Sequence, residues 1–158
     1  MARRTNFRLT GASTWVENIK NKVSEEAARR IVEDLKWEGP YWSGDFESAW
    51  VVKKGSTPVR ATRQPSGPPP PTPRPWNRTD FSVPPATGRK SISYTIGNEM
   101  VYRNLAMDLE PGRIKEGGRE TAPQDWYRTY VEGGKLRAAL EQATNRAAQD
   151  PKIRGFRK

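Results

Sequence analysis

Near the start of the chain, apolar residues recur at every fourth position. This period matches one face of an α-helix, so the pattern predicts a single amphipathic helix over residues 15–37. Thr14 and Glu17 have the spacing of a capping box at its start, and Gly39-Pro40 predicts its end. The apolar stripe consists of Trp15, Ile19, Val23, Ala27, Ile31 and Leu35.

The rest of the chain predicts several short helices and one longer helix. Ser43 is predicted to cap a short helical turn, and Asn98 a short helix. Pro123 suits the first turn of a helix that carries Trp126. A second amphipathic stripe near the end of the chain predicts a helix over residues 135–149. Its members are Leu136, Leu140, Ala143 and Ala147.

Two segments carry the signature of β-strands. Trp50-Val51-Val52 is a short run of strand-forming residues, and Ser91 to Ile96 alternates apolar with polar positions. Thr79 to Val83 alternates more weakly. These patterns predict an α+β fold, in which the long N-terminal helix and the C-terminal helix pack on a small antiparallel sheet.

A proline-rich segment separates the two predicted strands. Residues 58–85 contain 10 of the 14 prolines, with Pro68 to Pro71 consecutive. Proline fixes its own φ and donates no backbone hydrogen bond, so this run predicts an extended arm rather than packed structure. We expect a single domain over residues 1–158, with the arm (55–88) inserted in the sheet as a greatly lengthened hairpin. A basic N-terminal arm (1–12) and a basic C-terminal tail (150–158) complete the prediction.

Positive charge is concentrated on these appendages. The net charge is +10, the mean hydropathy is −0.93, and residues 51–90 hold eight Lys or Arg against one acid. This distribution suits attraction to nucleic acid or to an acidic protein surface, although solubility alone is the simpler interpretation. Trp76 is either an anchor on a neighbouring molecule or incidental. The candidate partner or DNA contacts are Lys53, Lys54, Arg60, Arg63, Arg74, Trp76, Arg78, Lys152, Arg154, Arg157 and Lys158.

The residue types argue against catalysis and against bound cofactors. The chain has no cysteine and no histidine, which excludes disulfides and thiolate or imidazole metal sites. Asp108 and Glu110 form an acid pair, but a charged helix end explains it better than a Mg²⁺ site. There is no phosphate-binding glycine loop and no apolar stretch of membrane-spanning length. We therefore predict no enzyme activity, no catalytic, cofactor or metal site and no membrane partner, and we expect a soluble protein used inside a cell.

Two short motifs carry a resemblance to a known family. The first is Trp42-Ser43-Gly44-Asp45-Phe46-Glu47-Ser48-Ala49-Trp50, after the long helix. The second runs from Ile96-Gly97-Asn98 through Tyr102 to Leu105, followed by Leu109-Glu110-Pro111-Gly112. Their order resembles the head–tail joining proteins of tailed bacteriophages, known as neck or tail-completion proteins. Ser43-Gly44 with Phe46 and Ser48 matches the family's turn, and Asn98 with Tyr102 matches approximately. Arg103 stands where the family usually has Ala.

The resemblance covers residues 12–148 and implies a function. It implies an α+β subunit in a sixfold or twelvefold ring between portal or adaptor and tail, around the path of packaged DNA, in a virion assembled in the host cytoplasm. It implies no enzyme activity and no cofactor. Extended arms and a small core suit a subunit that is completed by copies of itself. The alternative is a small basic nucleic-acid-binding protein, which the total charge favours but the placement of aromatic residues does not.

Overall fold

A computed structural model describes residues 10–41, 44–66, 81–87, 91–107, 122–123 and 125–154. Within them, helices surround a small antiparallel sheet, which confirms the α+β class. The helices are α1 (Thr10–Glu38), α2 (Asp45–Ser48), α3 (Arg103–Met107), α4 (Trp126–Glu132), α5 (Lys135–Gln149) and α6 (Pro151–Arg154). The strands are β1 (Trp50–Lys54) and β2 (Tyr94–Asn98).

Helix α1 is the central element, and its 29 residues span about 43 Å at 1.5 Å per residue. It begins at Thr10, so the prediction that Thr14 is the N-cap is wrong. Residues 10–13 contain no proline, so the helix can begin before Thr14. The Trp15 side chain donates a hydrogen bond to the carbonyl of Ile153 near the end of the chain. The helix ends as predicted before Gly39, whose N–H donates to the carbonyl of Leu35. A Cβ at Gly39 would lie 2.8 Å from that carbonyl oxygen, so the turn requires glycine.

Helix α5 runs antiparallel to α1 and has the predicted bounds. Lys135 at its start forms an ion pair of 2.6 Å with Glu38, at the far end of α1. Its buried face is a line of alanines, Ala139, Ala143 and Ala147, which allows the two helix axes to approach closely. Leu140 lies to one side of this line and is 43% exposed, although it belongs to the predicted stripe.

The two strands pair antiparallel, with Trp50 opposite Asn98 and Lys54 opposite Tyr94. The strand predicted over Ser91–Ile96 begins three residues later, at Tyr94, and ends two residues later, at Asn98, and residues 81–87 form no strand. Helix α1 contacts both strands, whereas α5 packs chiefly along α1 instead of on the sheet as predicted. The hydrophobic core lies between the helices and the two-stranded sheet. Its largest buried members include Val32, Leu35, Phe46, Trp50, Met100, Trp126 and Tyr130.

Candidate interaction site at the base of the proline-rich arm

The outgoing limb of the arm, which we define as residues 55–66, lies against the body. The N–H groups of Thr62 and Arg63 both donate to the carbonyl of Glu99 at 2.9 Å. The N–H of Val101 donates back to the carbonyl of Arg63 at 3.1 Å. Residue 63 thereby forms a parallel bridge with Met100, so the limb continues the sheet by one short step.

Val59 holds the same limb on the face of the sheet. Its side chain is buried over Gly97 of β2. A Cβ at Gly97 would lie only 2.6 Å from the Cβ of Val59, so the limb sits closer to β2 than any residue with a side chain would permit. Burial of a valine side chain contributes roughly 1.5–3 kcal/mol. The first part of the predicted arm is therefore part of the folded body.

Asp45 fixes the point at which the limb leaves the body. This residue is the first of α2 and is buried. Its Oδ2 accepts the N–H of Ser66 at 3.0 Å, and its Oδ1 accepts the Ser66 hydroxyl at 2.7 Å. The Arg63 guanidinium lies 4.0 Å from the same carboxylate. Hydrogen bonds to an ionised acceptor contribute about 1.5–3 kcal/mol each, so Ser66 is firmly anchored just before the run of four prolines.

Arg103 joins the limb to the end of β2. Its Nη1 donates to the carbonyl of Val59 at 2.7 Å and to the carbonyl of Asn98 at 2.9 Å. One guanidinium therefore satisfies two backbone groups that lie 39 residues apart in the chain. An alanine at position 103 could not make this link.

The return limb, residues 81–87, lies against α1 and β2. Val83 is buried in the core, and the Phe81 ring lies 5.6 Å from the ammonium of Lys36. The Tyr94 hydroxyl donates to the carbonyl of Pro84 at 2.7 Å, and the N–H of Ala86 donates to Glu25 Oε2 at 2.9 Å. Both described limbs thus belong to the body, and the arm predicted at 55–88 is shortened to residues 67–80 at most, which lie outside the described residues.

The candidate cations at the arm's base have different surroundings. Lys54 donates to the carbonyls of Pro85 at 3.4 Å and Thr87 at 3.0 Å, so it holds the return limb. Lys53 lies 3.9 Å from Glu99, and its side chain is 42% exposed. Arg60 is exposed, and Arg63 takes part in the outgoing limb. The positions of Arg74, Trp76, Arg78, Arg157 and Lys158, and the side chains of Lys152 and Arg154, lie outside the described residues.

The two motifs that carry the resemblance meet at Asn98. This residue is fully buried. Its Nδ2 donates to the carbonyl of Phe46 at 2.7 Å, and its Oδ1 accepts the N–H of Met100 at 2.9 Å. The rings of Phe46 and Tyr102 stack with their centroids 6.3 Å apart. Burial raises the pKa of Tyr102, and the nearby charge of Asp45 raises it further.

Sequence reasoning missed the side chains that organise this site. The prediction that Asn98 caps a short helix is wrong, because Asn98 is the last residue of β2 and α3 begins at Arg103. Its side chain instead accepts the N–H of Met100 and reaches the other motif. Asp45 carried no signal of its own, because its partner lies 21 residues further along. Arg103 offered one usable signal, since it is a charged residue within the second motif.

Other kinds of site receive no support from the described residues. Within residues 10–41, 44–66, 81–87, 91–107, 122–123 and 125–154, no cluster of three potential metal ligands occurs. Among the helices in the part of the chain that the structure describes, none has the length and apolar character to span a membrane. The acid pair of Asp108 and Glu110 lies outside those residues. Comparison with protein-family models, with curated proteins and with solved structures finds no match for this chain.

Proposed function

We propose that this protein is a virion structural protein: a ring-forming neck or tail-completion subunit that joins a phage head to its tail around the DNA channel. The observation that carries the proposal is the meeting of the two resembling motifs at Asn98. Residues 44–50 and 96–105 are far apart in the chain, yet they share a buried amide, a ring stack and a backbone hydrogen bond from Glu99 to Ala49. Two motifs that matched the family pattern by chance would have no reason to lie in contact. Their contact therefore supports a fold shared with that family.

The enlarged loop supports the same function. Its two limbs are held on the body, and 14 residues (67–80) separate Ser66 from Phe81. Those residues include Arg74, Trp76 and Arg78, which would contact neighbouring subunits or rings. An anchored exit point lowers the entropy that such an arm loses when it docks. Arg103, where the family usually has Ala, would be the local adaptation that holds the enlarged loop.

The structure also refines the list of contact residues. Lys54 has an internal role in holding the return limb, and Arg63 bridges to the body. Lys53 and Arg60 are the described cations at the arm's base with the most freedom to meet a partner. In a ring, each protomer would present this base to the same surface of its neighbour.

Ring formation is testable with the purified chain. Light scattering after size-exclusion chromatography should give about 107 kDa for a sixfold ring or about 215 kDa for a twelvefold ring of the 17.9 kDa chain. Negative-stain microscopy should show closed rings. Virions purified from the producing host should contain six or twelve copies of the chain. This measurement also tests the case in which the subunit is monomeric when purified and closes into a ring only on the portal.

Matched variants test the role of the arm. Arg74→Gln, Trp76→Ala and Arg78→Gln together should weaken the ring or its attachment without changing the monomer's thermal unfolding. Arg128→Gln and Arg137→Gln together remove the same number of cations from exposed positions on α4 and α5 and should leave assembly intact. Equal loss in both variants would contradict a specific arm contact.

The alternative is a small basic nucleic-acid-binding protein that acts as a monomer. Its supporting observation is the net charge of +10. A monomer that shifts duplex DNA at nanomolar concentration, with no ring and no association with virions, would favour this alternative over the ring.

A further inference from the structure

One guanidinium at the base of the arm has a hydrogen-bonding edge that no described group occupies. Arg103 Nη1 donates to the carbonyls of Val59 at 2.7 Å and Asn98 at 2.9 Å. Those two bonds use both hydrogens of Nη1, so the remaining N–H donors of the guanidinium lie on Nε and Nη2. Within the described residues, Nε and Nη2 have no hydrogen-bond partner. They form a fork of parallel N–H groups, the shape that binds a carboxylate or a phosphate by two hydrogen bonds.

The free edge of Arg103 reaches solvent, although the residue as a whole is half-buried. Among the described residues, the fully buried side-chain nitrogens without a partner are Nε of Arg30 and Nε1 of Trp50, and none belongs to Arg103. A ligand can therefore meet the fork without any opening of the fold. The two backbone carbonyls fix the orientation of the guanidinium in advance, which lowers the entropy lost when a ligand binds.

The charge of Arg103 has no counter-ion in the part of the chain that the structure describes. Two acids at the base of the arm are engaged by other cations. Asp45 anchors the outgoing limb and lies 4.0 Å from Arg63, and Glu99 lies 3.9 Å from Lys53. Neither carboxylate forms an ion pair with Arg103. A partly buried charge is costly unless it is paired, so an incoming anion would be stabilised at this position.

Arg60 provides a second guanidinium beside the first. The carbonyl of Val59 that accepts from Arg103 belongs to the peptide bond leading into Arg60. The Cα of Arg60 therefore lies within about 6 Å of Arg103 Nη1. The Arg60 side chain is exposed, and it has no hydrogen bond or ion pair with a described residue. Its length allows it to reach a ligand that is held by Arg103.

The number of free cations favours a carboxylate over a nucleic-acid backbone. A duplex presents one phosphate charge per about 1.7 Å and requires a row of cations, whereas two guanidiniums match one carboxylate group. Because each copy of the chain has a net charge of +10, a different protein supplies an acidic ligand more readily than a second copy does. We propose that Arg103 and Arg60 bind an Asp or Glu side chain of a neighbouring virion protein, with Arg103 as the bidentate clamp. The choice of a virion protein rests on the proposed function.

Binding of a short acidic peptide tests the site directly. The probe is fluorescein-labelled hexaglutamate with blocked ends, titrated with the full chain at about 50 mM KCl and followed by fluorescence anisotropy. Arg103→Lys keeps the charge but loses the fork, so it should weaken binding roughly tenfold. Arg60→Gln removes an exposed charge and should weaken binding roughly threefold. Arg146→Gln removes one charge from an exposed position of α5 and should leave the affinity unchanged.

The matched control separates the site from total charge. Equal weakening by Arg60→Gln and Arg146→Gln would overturn the inference, because it would show that only net charge attracts the peptide. Wild-type affinity in Arg103→Lys would overturn the clamp. Trypsin cleavage after Arg63 reports whether Arg103→Lys has also released the outgoing limb. If that cleavage is faster than in the wild-type chain, the comparison of Arg60→Gln with Arg146→Gln decides the outcome.

A second probe and the state of assembly distinguish the remaining outcomes. A labelled DNA duplex that loses affinity in Arg103→Lys and Arg60→Gln, while hexaglutamate does not, would identify phosphate as the ligand and overturn the choice of a protein. Rings that form normally but bind hexaglutamate equally well with and without the two arginines would contradict this inference and leave the proposed function standing. Peptide binding that depends on both arginines, in a chain that never assembles, would support the carboxylate site and contradict the proposed function.

Discussion

Asn98→Ala tests the junction at which the two motifs meet. The substitution removes the amide that donates to the Phe46 carbonyl and accepts the N–H of Met100, both in the interior. Each orphaned buried group costs about 1–3 kcal/mol, so with two such groups we expect a loss of about 2–6 kcal/mol in the free energy of unfolding. Domains of this size have only about 5–15 kcal/mol in total. The variant should therefore be folded but severely weakened.

Equilibrium unfolding in urea, followed by tryptophan fluorescence, measures this loss. With a slope of about 2 kcal/mol per molar urea, the midpoint should fall by roughly 1–3 M. Asn145→Ala, at an exposed position of α5, is the matched control and should change stability by less than about 0.5 kcal/mol. Asn98→Asp keeps an acceptor for Met100 but turns a carboxylate toward the Phe46 carbonyl, so it should be as damaging as alanine. If the free energy of unfolding of Asn98→Ala lay within about 0.5 kcal/mol of the wild-type value, the two buried hydrogen bonds of Asn98 would not stabilise the junction of the motifs.

Three further predictions follow from the limbs and from α4. Gly97→Ala should destabilise the protein by about 1–3 kcal/mol, because the new Cβ collides with the Cβ and both methyl groups of Val59. Made in a Val59→Gly chain, which lacks all three of these carbons, Gly97→Ala should lower the thermal unfolding midpoint by less than it does in the wild-type chain; an equal decrease would contradict the contact. Asp45→Asn should expose the Arg63–Gln64 bond to limited trypsin digestion several-fold faster, because Ser66 loses its charged anchor; an unchanged rate would show that the anchor is dispensable. Burial, together with Asp34, raises the pKa of Tyr130. A raised tyrosine pKa gives stability that is present below about pH 10 and is lost as pH rises above it. Tyr130→Phe should therefore flatten the alkaline decline in melting temperature, and an identical decline would refute that origin.

Local patterns predicted most of the helices. The four-residue repeats predicted for α1 and for α5 are properties of neighbouring residues, although the buried face of α5 contains Ala139 in place of the predicted Leu140. Gly39-Pro40 and Asp150-Pro151 mark helix ends by their own backbone restrictions. The start of α1 was missed, because the spacing of Thr14 and Glu17 predicted an N-cap at Thr14, whereas the helix begins one turn earlier at Thr10.

The arm's base could not be predicted, because its contacts are long-range. Val59 lies among prolines and polar residues with no periodicity that indicates its burial, and Val83 belongs only to the weak alternation of Thr79 to Val83. The anchoring of Ser66 by Asp45 and the double contact of Arg103 each join segments whose proximity exists only after the sheet has formed. Composition alone therefore overestimated the length of chain that projects from the body.

Electron microscopy of the purified chain and of virions from the producing host would show whether the protein forms the proposed ring. We expect a closed ring of six or twelve copies at the junction of head and tail, with residues 67–80 in contact with a neighbouring subunit or ring. A chain that stays monomeric at every concentration, and that is absent from the particles, would contradict it.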